Sequence, residues 1–327
     1  MGEKAAPAAV EPLRVTARDI EAARDAIREV AYRTPTTRLA TPEGGEVFLK
    51  LENLQRLGAF KIRGAWNRMS RMTEGERRRG VATISSGNHG LAVAWSAKRL
   101  GLPCTVYVPE GAPGPKVEAI RAQGAGLRVM AREDLVRAHT EELWKSWPQT
   151  FVQPFAHTHI IAGQGTIGWE IAEDLQDVRT VLVPVGGGGL SSGIAIAVKA
   201  RVPKATVFGV QAEGAASLPR VFETKKPYRV EQPSTIADGI RIGIILPEMA
   251  DLLLRYLDGC YVVSDDEIRK AMHRLALEAK VVAEPAGAAA FAAWGRYRDR
   301  LEPPVVAVVS GGNVDPALLG AVLREDM

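Results

Sequence analysis

Short, wholly apolar runs alternate along the chain with longer stretches in which apolar residues return every three or four positions. The first pattern suits strands buried on both faces, the second amphipathic helices. Thr16 and Asp19 form a capping-box signature, and Ile20, Ala23, Ile27 and Val30 follow at helical spacing, predicting a first helix to about Tyr32. Residues 47–51 read as a strand, followed by a loop over 55–58 and a helix from near Lys61. After Gly80 comes a strand at 81–84, a turn at 85–90, a helix at 91–100, a strand at 104–108 and a helix at 115–122. The order returns with a helix at 166–175, a strand at 180–185, four glycines, a helix at 190–200 and a strand at 205–211. Ser264 and Glu267 cap a helix reaching Ala279, residues 285–294 give another, and 305–309 is a last strand. Strand–helix–strand repeats at this spacing predict parallel strands with right-handed crossovers, an α/β fold of two units.

Composition narrows the class. The 327 residues are 46% hydrophobic and 24% charged, the profile of a globular protein with length for one large domain or two ordinary ones. The net charge is only +4 and the basic residues are scattered, as at Arg77, Arg78 and Arg79, so no nucleic-acid partner is expected. Cys104 and Cys260 lie far apart without CxxC spacing, which speaks against a disulfide framework or a zinc site. No apolar stretch approaches the roughly 20 residues that cross a bilayer. The Ala/Pro-rich start, residues 1–13, lacks a signal peptide's apolar run and reads as a loose tail, so a cytoplasmic protein without membrane contact is expected.

Ligands of α/β sheets bind beyond the carboxyl ends of strands. Three polar or glycine-rich motifs occupy such ends: residues 85–90, 186–189 and 310–313. Gly186, Gly187, Gly188 and Gly189, between an apolar strand and a helix, free successive backbone N–H groups to converge on an anion, which favours phosphate over a plain flexible turn. Neither a GK[ST] ending nor a GxGxxG fingerprint is present, which disfavours a nucleoside triphosphate or a dinucleotide. The turn Ser85-Ser86-Gly87-Asn88-His89-Gly90 either holds a substrate carboxylate or serves as an N-cap through Ser86 or Asn88; His89 is better read as held by packing than as a base. Lys61 is either a solvated lysine or a desolvated amine able to form a Schiff base, and position alone does not choose.

The segment 49–55, Leu-Lys-Leu-Glu-Asn-Leu-Gln, running into 58–65, Gly-Ala-Phe-Lys-Ile-Arg-Gly-Ala, resembles the lysine segment of the pyridoxal 5′-phosphate-dependent threonine/serine dehydratase and serine racemase family. The resemblance continues in order through 85–90, 162–166, 186–189, 235–239, Glu284-Pro285 and 310–313, nearly the whole chain from about residue 33. It implies fold type II of these enzymes, related to the tryptophan synthase β chain, with residues 78–157 as a small domain set into a larger one of 1–77 and 158–327. It implies that Lys61 carries the cofactor as a Schiff base, that Phe60 packs on the ring, that Asn88 bonds its 3′ oxygen, and that Gly186 to Gly189 with Leu190 hold the phosphate. Ser310 is implied at the ring nitrogen, where a neutral hydroxyl steers the chemistry towards elimination. Ser85, Ser86, Gly87, Asn88 and His89 are implied at the substrate carboxylate, and Ser86 matches the serine that acts on the opposite face in racemases. The activity implied is dehydration and deamination of threonine and/or serine, Lys61 taking the Cα proton and a 2-oxo acid and ammonia leaving. A homodimer or higher homo-oligomer is implied as well.

Two departures shape that expectation. Ala59 stands where many members have serine. Where racemases hold a divalent metal on acidic side chains, this chain has Gln211 and Ser217, with Glu213 out of register, so no metal is expected. Ending at Met327, the chain is expected to be of the short catabolic type without a C-terminal regulatory domain. Serine racemase, 3-hydroxyaspartate dehydratase and a PLP- or amino-acid-binding protein without turnover are the alternatives.

Overall fold

The computed structural model describes residues 13–112 and 114–324; residues 1–12 of the expected tail lie outside them. In chain order the strands are β1 (Thr36–Ala40), β2 (Glu46–Leu51), β3 (Val81–Ile84), β4 (Cys104–Pro109), β5 (Gly126–Met130), β6 (Thr150–Phe151), β7 (Thr180–Pro184), β8 (Thr206–Ala212), β9 (Tyr228–Arg229), β10 (Ile244–Ile245), β11 (Gly259–Val263) and β12 (Val305–Val309). Six form one sheet in the order β1-β2-β12-β7-β8-β11, parallel except for the β1–β2 pair. A second sheet, β5-β4-β3-β6, is parallel throughout, and its strands all come from residues 81–151. Strands β9 and β10 make a small antiparallel pair.

The central strands show why the apolar runs are continuous. Every residue of β7 and β12 is buried. Val181, Val183, Val306 and Val308 point into one core while Leu182, Val305, Ala307 and Val309 point into another on the opposite face. A sheet covered on both faces needs apolar side chains at both phases of the two-residue period.

The first eight helices are α1 (Ala17–Ile27), α2 (Lys61–Ser70), α3 (Glu74–Arg78), α4 (Asn88–Leu100), α5 (Gly114–Arg121), α6 (Arg132–Thr140), α7 (Thr158–Asp174) and α8 (Gly189–Arg201). They are followed by α9 (Leu218–Thr224), α10 (Pro247–Tyr256), α11 (Asp265–Leu277), α12 (Pro285–Tyr297) and α13 (Pro316–Leu323). The capping boxes at Thr16 and Ser264 form as expected, with Asp19 and Glu267 as their acidic partners. Helix α1 stops at Ile27, short of Tyr32. Helix α7 starts at Thr158 and so takes in Gly163 and Gly165, which their residue type argues against. Packing explains them: a Cβ on Gly163 would lie 2.6 Å from Gly64 Cα, and one on Gly165 would lie 2.9 Å from Gly193 O, so glycine lets α7 touch α2 and α8. Among the described residues, no helix is long and apolar enough to cross a membrane.

Candidate functional site

Three strand ends and the start of α2 converge. Leu57 and Gly58 both take positive φ (67° and 73°), and a Cβ on Gly58 would lie 2.5 Å from Asn313 Oδ1. This tight turn lays the chain before Lys61 against the loop after β12: the Phe60 amide donates to Ser310 O at 3.2 Å and the Gly312 amide to Gly58 O at 2.8 Å. Lys61 opens α2, and its Nζ donates to Pro154 O at 3.0 Å and lies 5.1 Å from the centre of the Phe60 ring. Burial pulls the Lys61 pKa from 10.5 to about 8, against the opposing charge of Glu284. More of this amine than of an ordinary lysine is therefore neutral near physiological pH and able to act as nucleophile or base. Half-buried and bonded to a backbone carbonyl, Lys61 is not a freely solvated surface lysine.

The glycine run joins β7 to α8. The amides of Gly186, Gly187, Gly188, Gly189, Leu190 and Ser191 have no acceptor among the described residues. They converge at the N-terminus of a 13-residue helix, where partial positive charge gathers. Side chains are excluded. A Cβ on Gly187 would lie 2.5 Å from the Phe155 ring and one on Gly189 2.8 Å from Phe155 O, while Gly188 has φ +95°. Phe155 directly follows Pro154, so one short segment touches both the lysine and the glycines.

The turn after β3 is arranged differently from its sequence expectation. Helix α4 begins at Asn88, not at residue 91, so Asn88 and His89 occupy its first turn and Gly87 is the N-cap. No side chain caps it; the Ser85 hydroxyl instead accepts from the Gly87 amide at 3.2 Å. The amides of Ser86, Asn88 and His89 have no acceptor among the described residues, a second set of donors suited to an anion. His89 is buried with Nε2 3.1 Å from Val152 O, and burial, with the Lys61 charge, depresses its pKa to about 3. A neutral histidine donating through Nε2 is held by packing, as its sequence reading has it.

Asn88 is oriented from both ends. Its Nδ2 donates to Glu284 Oε1 at 2.7 Å, and its Oδ1 accepts from Asn313 Nδ2 at 2.8 Å; Asn313 also donates to Leu57 O at 2.7 Å. Glu284 is buried, and burial followed by the nearby Asp238 charge raises its pKa to about 7, with Lys116, Asn88 and Lys61 opposing. The sequence alone assigns Glu284 no role. The signal was there: a carboxylate immediately before a helix-opening proline, in an otherwise apolar stretch. Ser310 is buried at the end of β12, its Oγ 3.5 Å from Ala286 O. Gln211 and Ser217 are buried and bonded to each other at 3.3 Å, and Gln211 Oε1 accepts from the Leu218 amide at 2.7 Å.

These residues fit pyridoxal phosphate. The cradle offers unpaired amides on glycines whose packing against Phe155 and Leu253 leaves no room for a Cβ, and the lysine is joined to it through Pro154 and Phe155.

Comparison with known proteins gives a consistent picture. The family profile described as pyridoxal-phosphate dependent enzyme matches residues 27–311. An L-threonine ammonia-lyase of Thermotoga maritima is 40% identical over 319 residues, covering 96% of this chain and 79% of the relative. Among solved structures, a maize serine racemase superposes with a TM-score of 0.87 at 30% identity, covering 96% of this chain and 98% of that one. The processed form of threonine deaminase isoform 2 from Solanum lycopersicum gives 0.85 at 32%, covering 94% and 91%.

Proposed function

We infer that this chain, which belongs to the pyridoxal-phosphate dependent enzyme family, is an ammonia-lyase that dehydrates and deaminates threonine and/or serine to a 2-oxo acid and ammonia. The observation that carries the reading is the Lys61 amine, brought to about 8 by burial and bonded to the segment that walls the glycine cradle.

When bound, pyridoxal phosphate supplies a sink for the electron pair left as a bond at the substrate's Cα breaks. In this reading Lys61 Nζ is its attachment point and, once released, takes the Cα proton. The amides of Gly186 to Leu190 hold the phosphate. Asn88, fixed by Glu284 and Asn313, holds the 3′ oxygen, and Phe60 packs on the ring. Ser310 supplies a neutral hydroxyl at the ring nitrogen. The amides of Ser86, Asn88 and His89, with the hydroxyls of Ser85 and Ser86, bind the carboxylate, and Gly87 lets the backbone approach it. Residues 78–157, which contain the four-stranded sheet, form a small domain set into the larger one. A cytoplasmic homodimer or higher homo-oligomer belongs to the same proposal.

The test is a steady-state comparison of L-threonine, L-serine and D-serine, following 2-oxo acid, ammonia and product chirality, in the wild-type protein and in Lys61→Ala. Lys61→Ala is expected to lack both turnover and the visible absorbance of the lysine-linked cofactor. Full activity in that variant would refute the reading. Racemised serine without 2-oxo acid would favour the racemase, which the likeness to the maize enzyme keeps in view.

A further inference from the structure

Behind Lys61 lies a buried charge network that the proposed reaction does not use. Arg63, fully buried two residues further along α2, directs one fork at Glu52, with Nε and Nη2 at 2.9 and 2.8 Å from its two oxygens. A second fork meets Glu170 of α7, with Nη1 and Nη2 at 2.6 and 3.0 Å. Thr166 Oγ1 and Tyr32 O, each at 3.0 Å, accept from the same guanidinium. Residues two apart on a helix do not share a face. Lys61 and Arg63 therefore leave α2 on different sides, one towards Pro154 and the other into the network.

The network sits on a stack of close helix crossings. A Cβ on Gly163 of α7 would lie 2.6 Å from Arg63 O, and the Gly64 amide donates to Gln164 Oε1 at 3.2 Å. On its other side α7 meets α8 just as closely: a Cβ on Gly168 would lie 2.5 Å from Ile194 O. Helix α8 opens with the glycine cradle. The chain of contact thus runs from the lysine helix through α7 to the cradle helix. Side chains do not intervene at the glycines, so the backbone crossings set the spacing between helices. The roll of α2 about its own axis is set by directional bonds: single ones from the Gly64 amide to Gln164 and from Asn67 Nδ2 to His159 O at 2.6 Å, and the paired forks of Arg63.

We propose that Arg63 is a positioning residue: its paired forks onto Glu52 and Glu170 fix the roll of α2 against α7 and so hold Lys61 Nζ at Pro154, beside the cradle. The inference rests on Lys61 being the cofactor's attachment point. A bidentate fork resists rotation in a way a single point charge does not. An ångström of misplacement at a reacting group costs on the order of 10²-fold.

The experiment uses purified holoenzyme of wild type, Arg63→Lys, Glu170→Gln and Arg63→Met, with Leu275→Ala of α11 as a destabilised control remote from the network. Melting temperature is measured alongside the rate at which the lysine-linked cofactor's absorbance is lost to a free aminothiol trap, at a temperature where every variant is folded by circular dichroism. The expected result is that all variants melt lower, but only the Arg63 and Glu170 variants release cofactor faster, by on the order of tenfold for Arg63→Lys, the factor that one weakened charge-assisted hydrogen bond gives. The proposal is overturned if Arg63→Lys releases cofactor at the wild-type rate, or if Leu275→Ala releases it as fast at an equal melting temperature. Should Arg63→Met fail to fold, the two milder substitutions decide the matter on the same criteria. If wild-type protein never acquires the absorbance from added pyridoxal phosphate, the functional reading itself fails, and this inference with it.

Discussion

Replacing Gly187 with alanine puts one carbon where the Phe155 ring already stands. The new Cβ would lie 2.5 Å from Cγ, Cδ1 and Cδ2 of that ring. Carbon atoms pack comfortably at about 3.5–4.0 Å, so ring and cradle must separate by roughly 1 Å. Phe155 has little room to yield. It is buried, its backbone already crowds Gly189, and its other side meets the His139 ring at 5.3 Å between centres. Overpacking of this kind costs about 1–3 kcal/mol. Borne by the cradle, that cost weakens cofactor affinity by roughly 5- to 150-fold, at about 1.4 kcal/mol per tenfold. Borne by the ring, it lowers thermal stability instead. Titration of the apoprotein with pyridoxal phosphate, followed by absorbance, and a parallel melting curve measure the two shares. Gly75→Ala in α3, where no atom lies within 4 Å of the added Cβ, is the control: it should leave affinity unchanged and move melting only upward, by the helix-propensity gain of up to about 1 kcal/mol. A Phe155→Ala background should reduce the penalty, because the two substitutions are coupled through one contact. Wild-type affinity together with a wild-type melting curve in Gly187→Ala would show that the ring does not wall the cradle.

Glu284 should make stability depend on pH. Its folded pKa is raised to about 7 by burial, so it favours the folded state fully below the ordinary carboxylate range, and that contribution is lost as pH rises through about 7. The apoprotein of Glu284→Gln should therefore gain stability relative to wild type as pH climbs through that window; a melting difference independent of pH would contradict the assignment. The attachment rate of the cofactor to wild-type apoprotein should rise with pH through about 8 as Lys61 loses its proton, and a flat stopped-flow profile would count against it. Gly163→Ala places a Cβ 2.6 Å from Arg63 O and should destabilise by about 1–3 kcal/mol in a denaturant titration, forcing α2 from α7; an unchanged midpoint would mean that the crossing is looser than described.

Much of the site was legible because it is built from backbone. Turns after buried strands are local: an apolar run ending in glycines, or in small polar residues before a helix, announces its donors within a few positions. That is how 186–189 and 85–90 could be read before any fold was known. Helices α4 and α7 begin earlier than their sequence predicts, for a related reason. Asn88 and the glycines of α7 are poor helix residues in isolation, and contacts made elsewhere override that preference.

Lys61 marks the division. The chain by itself determined the α/β class with parallel strands, the glycine run before α8 and the polar turns at strand ends, since each depends on neighbouring residues and on periods of two or nearly four. Only the tertiary structure set the surroundings of the Lys61 amine, because they depend on Pro154, 93 positions away, and on Glu284, whose charge opposes the pKa-lowering effect of burial. It alone brought Glu284 to Asn88 across 196 positions and Asn313 to Leu57 across 256. A pKa or an orienting hydrogen bond depends on which groups lie within a few ångströms, and the packing of the sheets and helices sets those distances.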